Sequence, residues 1–387
     1  MRRRTKVVGL MIAVCATAVT ALAIALSYDA RCAAPPSLSA TSLTIKAYRY
    51  HCYGSPEVLA LTTVARPVPA DSEVLVKVQA ASVNPLDWHF MRGKPYVMRL
   101  SSGIGAPKDQ RIGADFAGTV EAVGSTVTQF KVGDRVFGVA DGTFAEYVTV
   151  GERRAIALMP DSATFEQASA VGIAATTALQ AVRDKGQVKS GHHVLVNGAS
   201  GGVGTFVVQI AKSYGAHVTG VASTRNVALV TALGADSVID YTTDNFTTGS
   251  QRYDVIIDMV GNHDLRAVEH VLARTGNAVI VGGPNANRWL GPLTRTLGAI
   301  LRSPFVRPTF TTLLASANQS DLGVLRDMMQ GGKLKSVIDR RFPFQELPAA
   351  VEYLETGRAR GKVIVSVATG AGFGRLSSRP GGTTERP

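Results

Sequence analysis

The run Val194-Leu-Val-Asn-Gly-Ala-Ser-Gly-Gly-Val-Gly204 passes directly into Thr205-Phe-Val-Val-Gln-Ile-Ala-Lys212. Val194, Leu195 and Val196 read as a buried strand, the glycine-rich stretch as a tight turn, and the apolar spacing after Gly204 as a helix. Strand, glycine turn and helix in that order make a phosphate-binding device. The helix N-terminus presents unpaired N–H groups and a partial positive charge to an anion. Gly201 is expected to let the backbone approach a pyrophosphate, and Gly204 to let the helix pack close to the strand. Ala199 stands where the usual dinucleotide fingerprint has its first glycine, so the pattern is Ala-x-Gly-x-x-Gly. Ala199, Ser200, Gly201, Gly202, Val203 and Gly204 are the first candidate cofactor-binding residues.

Working outward, the rhythm from about residue 165 is that of alternating strands and helices, the sign of a doubly wound parallel sheet. Strands are expected at 193–197, 217–222, 237–240, 254–258, 278–282 and 336–339, with helices at 202–214, 226–233 and 322–330. Between residues 44 and 161 the pattern differs. Short β runs such as Val74-Leu-Val-Lys-Val-Gln79 and Val132-Gly-Asp-Arg-Val-Phe-Gly138 are broken by Gly and Pro, which reads as an antiparallel, barrel-like domain. A helix at 343–356 and a last strand at 362–367 close the folded part. Residues 368–387, rich in Gly, Ser, Pro and Arg, read as a disordered tail.

Composition bounds the function. Of 387 residues 45% are hydrophobic and 18% charged, as in a globular protein with room for two domains. The net charge of +12 is concentrated partly at the ends, leaving +6 for residues 43–367. No basic stripe interleaved with aromatics is present, so no nucleic-acid partner is expected. Cys15, Cys32 and Cys52 are the only cysteines and no Cys-x-x-Cys occurs. Neither a thiolate zinc site nor a disulfide framework is expected from them, and no metal ligands are assigned. His192 and His193 read as strand-end surface residues.

At the N-terminus Arg2-Arg-Arg-Thr-Lys6 precedes twenty uncharged residues, Val7 to Leu26. That length suits a membrane anchor with its basic cluster inside. A cleaved signal segment, or a start placed upstream of a cytoplasmic protein, are the competing readings. Residues 27–42 read as a linker.

The end of the second strand of the parallel sheet selects the cofactor. A carboxylate there favours NAD, whereas cationic and hydroxyl groups favour the 2′-phosphate of NADP. The strand 217–222 runs into Ser223-Thr-Arg225 with no carboxylate, and Arg225 can meet a phosphate bidentately. NADPH is therefore the expected cofactor, with Ser223, Thr224 and Arg225 binding it.

Further phrases carry a family resemblance: Tyr53-Gly-Ser-Pro-Glu-Val-Leu59, Ser82-Val-Asn-Pro-Leu-Asp87, Gly113-Ala-Asp-Phe-Ala-Gly118, Leu233-Gly-Ala-Asp-Ser-Val-Ile-Asp-Tyr241, Val337-Ile-Asp339 and Arg360-Gly-Lys-Val-Ile364. Over residues 44–367 the chain resembles the medium-chain dehydrogenase/reductase superfamily, in its zinc-free, quinone oxidoreductase-like branch. It is similar to the mitochondrial reticulon-interacting quinone reductases and to bacterial zinc-type alcohol dehydrogenase-like proteins. The resemblance implies an α/β fold with a GroES-like β-rich domain (43–165), a Rossmann domain with its doubly wound parallel sheet (166–341), and a return to the first domain (342–367). An N-terminal apolar helix (1–26) would precede them.

Where zinc-containing members carry a metal-binding cysteine this chain has Asn84, with Asp87 after it; where they carry Gly-His-Glu it has Gly113-Ala-Asp115. A quinone or α,β-unsaturated carbonyl delocalises incoming charge, so its reduction needs no Lewis acid. The implied activity is zinc-independent transfer of hydride from NADPH to such a substrate. By resemblance Asn84, Asp87 and Thr177 are the candidate catalytic residues. Asp87 reads equally as a structural acceptor in the turn after Pro85, and Thr177 equally as a helix-packing residue. His89 is a candidate proton donor beside a packing role. Tyr241 and Lys362 are expected at the cofactor, and Gly261 and Gly282 lie on its side by the carboxyl-end rule. A homodimer is compatible with this reading. Residues 285–307, with Trp289 and Phe305, are expected to form an apolar lid or an oligomer contact. The alternative function is a non-catalytic NADPH sensor or scaffold at a membrane.

Overall fold

The computed structural model describes residues 2–34, 43–284 and 287–367. Strands rich in β-branched residues assemble two sheets of different character. The first is mostly antiparallel, in the order Ile338–Pro343, Lys362–Ser366, Glu73–Val83, Asp115–Val123, Arg135–Val139 and Ile156–Leu158. Tyr147–Gly151 also pairs with Glu73–Val83. Val74, Val76 and Val78 alternate along Glu73–Val83 to face a core shared with Phe116, Val136 and Phe144. A separate antiparallel pair joins Thr44–Arg49 to Ala60–Ala65.

The second sheet has six parallel strands, in the order Ser237–Asp240, His217–Ala222, His193–Asn197, Tyr253–Asp258, Leu272–Ile280 and Thr309–Thr312. Counted along the chain this is 3-2-1-4-5-6, the doubly wound order whose reversal beside the first strand opens a ligand crevice. Val194, Leu195 and Val196 are wholly buried because both faces of the sheet are covered. The helix Gly204–Ser213 leaves the glycine turn and packs Phe206, Val207 and Ile210 into the core.

Several expectations need correction. The strand expected at 336–339 in the parallel sheet lies at Ile338–Pro343 and pairs with Lys362–Ser366 in the first sheet. The edge strand of the parallel sheet is instead Thr309–Thr312, and a helix, Leu293–Arg302, occupies part of the expected lid. Asn285 and Ala286 lie outside the described residues, as do 35–42 of the linker and the 368–387 tail.

The N-terminal helix spans Arg2–Ser27. Among the described residues, however, no helix is long and apolar enough to cross a membrane. The end of the apolar run is spent on the protein itself: Leu26 is buried, and its carbonyl accepts from Arg99. Arg99, 1% exposed, also donates to Tyr28 O and pairs with Asp29. Its guanidinium lies over the rings of Tyr53 and Tyr96. Cys32 and Cys52 form a disulfide with Cα atoms 4.7 Å apart, a single link that the cysteine count did not anticipate. Three cysteines cannot make a framework, but Arg99 lays residues 26–29 along the first domain, and Cys32 then reaches Cys52.

Candidate active site

The first domain's sheet, the start of the Rossmann unit and the returning C-terminal strand meet in one buried polar cluster. Pro85 begins the helix Pro85–Arg92, where its missing N–H and fixed φ fit the first helical position. Asp87 turns back to accept the Asn84 N–H at 2.7 Å. That bond fixes Asn84, whose amide donates to Asp115 Oδ2 at 2.9 Å and whose Oδ1 accepts from Lys362 Nζ at 2.5 Å. Asp115 is the hub. Its Oδ2 also accepts from Ser82 Oγ (2.6 Å) and Lys362 Nζ (3.3 Å), and its Oδ1 from the backbone N–H of Ile173 (2.7 Å). A side chain at Gly172 would collide with that second oxygen, so glycine lets the helix Gly172–Leu179 bring its first turn onto the carboxylate. Asn84, Asp87, Asp115 and Lys362 are at most 3% exposed.

Burial pushes the Asp87 carboxyl up to about 7; the Asn84 N–H opposes this and the nearby Asp115 charge adds to it. Its contacts are to backbone N–H groups, which supports the structural reading of Asp87 over direct contact with a substrate. The folded chain holds this proton more tightly than the unfolded chain, so stability from Asp87 is fullest below about pH 4 and is lost as pH rises to about 7. Asp87→Asn should flatten that slope. Urea midpoints at pH 5 and pH 8 should differ less in the variant than in the parent chain; an undiminished difference contradicts the assignment.

His89 stacks on Trp88, and its Nδ1 lies 2.7 Å from the Lys94 carbonyl. Burial lowers its pKa. A carbonyl only accepts, so the neutral ring carries its proton on Nδ1 and offers a lone pair at Nε2. This speaks against the proton-donor role. Thr177 donates to Ile173 O one helical turn back, at 2.7 Å, so its hydroxyl is used within the helix that holds Asp115.

The glycine turn starts at Gly198, which takes φ +89°. At Gly204 a Cβ would strike the Gly198 carbonyl oxygen and lie 2.9 Å from Ala199 Cα, so the helix packs as the sequence anticipates. A Cβ on Gly201 would meet only Gly198 O, at 3.4 Å, which leaves the backbone open on its other side. The C-terminal return closes on this turn. Gly361 donates its N–H to Ser200 O at 3.0 Å, and the Lys362 stem runs beside Gly202. Lys362 thereby touches the cofactor turn with its stem and the Asn84–Asp115 cluster with its ammonium.

Beyond the second strand, Ser223 and Ser200 are joined by Asn226, whose Nδ2 lies 3.2 and 3.0 Å from their hydroxyl oxygens. Asn226 Oδ1 is buried with no partner within the protein. An orphaned buried acceptor on the side chain that ties Ser223 to Ser200 of the glycine turn fits the hydroxyl-rich ribose of a dinucleotide. Arg225 is exposed and donates to Arg358 O at 3.0 Å, while Arg340 stacks over Tyr353 close by. Thr224 is engaged elsewhere. Its hydroxyl lies 2.9 Å from Thr242 Oγ1 and helps hold the Asp240 carboxyl below the usual range. A carboxylate thus stands near the second strand after all, supplied by its neighbour Ser237–Asp240. Tyr241 follows, 58% exposed, with its N–H on Ala222 O.

At the carboxyl ends of the first and fourth strands, Asp258 accepts from Asn197 (2.8 Å), from the Gly261 N–H (2.9 Å) and from Arg295 (2.7 Å). Gly261 takes φ +71°, and a side chain at Gly282 would strike Met259 O. Among the described residues no group of three or more His, Cys, Asp or Glu is placed to hold a metal ion. Sequence reasoning missed Ser82, Asn226, Gly361 and the hub role of Asp115. Ser82, Asp115 and Gly361 each stood inside a phrase that carries the resemblance, but Asn226 had no such signal.

Residues 70–161 match the alcohol dehydrogenase GroES-like domain, and residues 233–365 match a domain described as zinc-binding dehydrogenase. The chain is 34% identical over 363 residues to the 2-methylene-furan-3-one reductase of Solanum lycopersicum, covering 89% of this chain and 86% of that one. It is 33% identical over 338 residues to the quinone oxidoreductase of Sus scrofa, covering 83% and 97%. The quinone oxidoreductase of Coxiella burnetii superimposes with a TM-score of 0.73 at 31% identity, covering 84% and 100%. The chain belongs to the medium-chain dehydrogenase/reductase superfamily, in its quinone oxidoreductase-like branch. It is an oxidoreductase of that family.

Proposed function

We propose that the chain is an NADPH-dependent reductase of quinones or α,β-unsaturated carbonyl compounds that works without zinc. The observation that carries the proposal is Lys362, which packs its stem on the glycine turn and its ammonium on Asn84 and Asp115. One side chain thus couples the cofactor turn to the polar floor of the cleft. The names of two relatives, a quinone oxidoreductase and an NADPH-dependent alkenal/one oxidoreductase of Arabidopsis thaliana (34% identical), point to the same chemistry.

NADPH supplies a hydride equivalent when bound. The backbone of Gly201 to Gly204 would hold its pyrophosphate, Ser200 and Asn226 a ribose, and Ser223 with Arg225 the 2′-phosphate. Thr224 and Tyr241 flank that site. Asn84 and Lys362 put an amide dipole and a positive charge at the cleft floor, where they favour negative charge developing on a carbonyl oxygen. Asp87 and Ser82 hold those groups in place, and the Asp258 network shapes the turn at Gly261 beside the crevice.

Purified protein in EDTA should oxidise NADPH with a panel of small quinones and 2-alkenals. Measurable NADPH binding with no turnover on any of them overturns the catalytic reading and leaves a cofactor-binding module. Arg225→Glu should weaken NADPH binding roughly 10- to 100-fold, the loss of one or two charge-assisted contacts, and should leave NADH binding nearly unchanged. Isothermal titration with both cofactors reads this; unchanged NADPH affinity removes Arg225 from the site.

A further inference from the structure

The helix Leu293–Arg302 has one face turned inward and one left bare. Inward, Ala299 is buried and the Arg295 side chain, 8% exposed, pairs with Asp258. Outward, Leu293, Leu297, Ile300 and Leu301 are 42, 48, 51 and 70% exposed, and Phe305, just past the helix, is 86% exposed. Spacings of four, three and one residues place them on one stripe. Leu301 and Phe305 also border a cavity of ≈450 Å³ with Leu265, Arg266 and Arg302.

The charge around the stripe is net positive. From residue 287 to 307 the sequence holds Arg288, Arg295, Arg302 and Arg307 and no acidic residue. Arg295 and Arg302 are paired internally, with Asp258 and Glu269. Arg288 and Arg307 are exposed at the two ends, and beside the cavity exposed Arg266 is offset by exposed Asp264, which leaves the two end arginines as the net charge. An apolar stripe with a cationic rim is the pattern of a helix lying flat in an anionic lipid interface. A second copy docked face to face would bring two net-positive rims together, which costs energy.

We propose that this stripe seats the protein on an anionic bilayer surface, without crossing it. The segment is joined directly to the first domain. Tyr96 N and Val97 N donate to Arg288 O and Trp289 O, at 2.9 and 3.1 Å, and the Tyr96 and Trp289 rings meet edge to face. This placement is independent of the N-terminal helix and of the reduction chemistry.

The test uses the full chain, with vesicles of phosphatidylcholine alone or mixed equally with phosphatidylglycerol. The double variant Leu301→Asp, Phe305→Asp should lose at least 10-fold in sedimentation with the anionic vesicles and keep its turnover with a water-soluble quinone. In Phe305→Trp, fluorescence added over the parent chain should be quenched by brominated anionic lipid, a readout that the N-terminal helix does not affect. Three results overturn the proposal: equal binding of parent and double variant, equal binding to neutral and anionic vesicles, or a dimer of the parent chain that the double variant abolishes. The last would give the stripe to a second copy.

Discussion

Lys362→Met should lower stability by about 3 kcal/mol, because removing one partner of a buried pair leaves the other charge uncompensated. The figure is at the low end of the usual range, since Asp115 keeps Ser82, Asn84 and the Ile173 N–H. The effect on turnover should be larger, at least 100-fold, because the lost side chain joins the glycine turn to the Asn84–Asp115 cluster. The double variant Lys362→Met, Asp115→Asn separates the two effects. Neutralising Asp115 should restore more than half of the lost stability and none of the activity. Urea unfolding and NADPH oxidation measured on the same samples check this; recovery of activity along with stability would make Lys362 a purely structural residue.

Gly204→Val should be nearly as damaging, by a different route. No side chain fits between the turn and the helix, since the first added carbon already collides with Gly198 O and crowds Ala199. Relief requires the helix Gly204–Ser213 to move off the strand His193–Asn197, and overpacking of this kind costs about 3 kcal/mol. The same shift moves the N–H groups proposed to hold a pyrophosphate. NADPH affinity should fall at least 100-fold, while Gly204→Ala should show the same direction at smaller size. Calorimetric titration gives the affinity. Tight NADPH binding by the valine variant would show that the pyrophosphate does not sit on this turn.

The parallel sheet and its glycine turn were legible because their signals are local. Each strand is a short apolar run, and a strand, a turn and a helix succeed one another within twenty residues. Asn84 was legible for a related reason, being followed by a proline that starts a helix. The rest of the site was not. Asp115 gathers partners from positions 82, 84, 173 and 362, and nothing in the run Gly113-Ala-Asp115 announces four of them. Asn226 looks like an ordinary residue at a helix start until the fold sets two serines against it. The Cys32–Cys52 link depends on Arg99, sixty-odd residues beyond the first cysteine, so counting cysteines alone misjudged it. The helix Leu293–Arg302 is a different lapse. Its apolar spacing is visible in the sequence, but prolines at 292 and 304 make the stretch read as a loop.

The strand Lys362–Ser366 lies inside the first sheet, between Ile338–Pro343 and Glu73–Val83. The Lys362 ammonium on Asn84 spans 278 residues of chain, and the neighbouring Val363 pairs with Val83. During synthesis at about 5–20 residues per second, the first domain therefore waits on the order of 15–60 s with one edge of its central strand open. The Rossmann unit, an insertion within it, has all its strands by residue 312 and can fold in that interval. The cluster of Asn84, Asp115 and Lys362 is thus the last part of the described fold to assemble, and a ribosome that stops a few codons short of Lys362 releases a parallel sheet and glycine turn without that cluster.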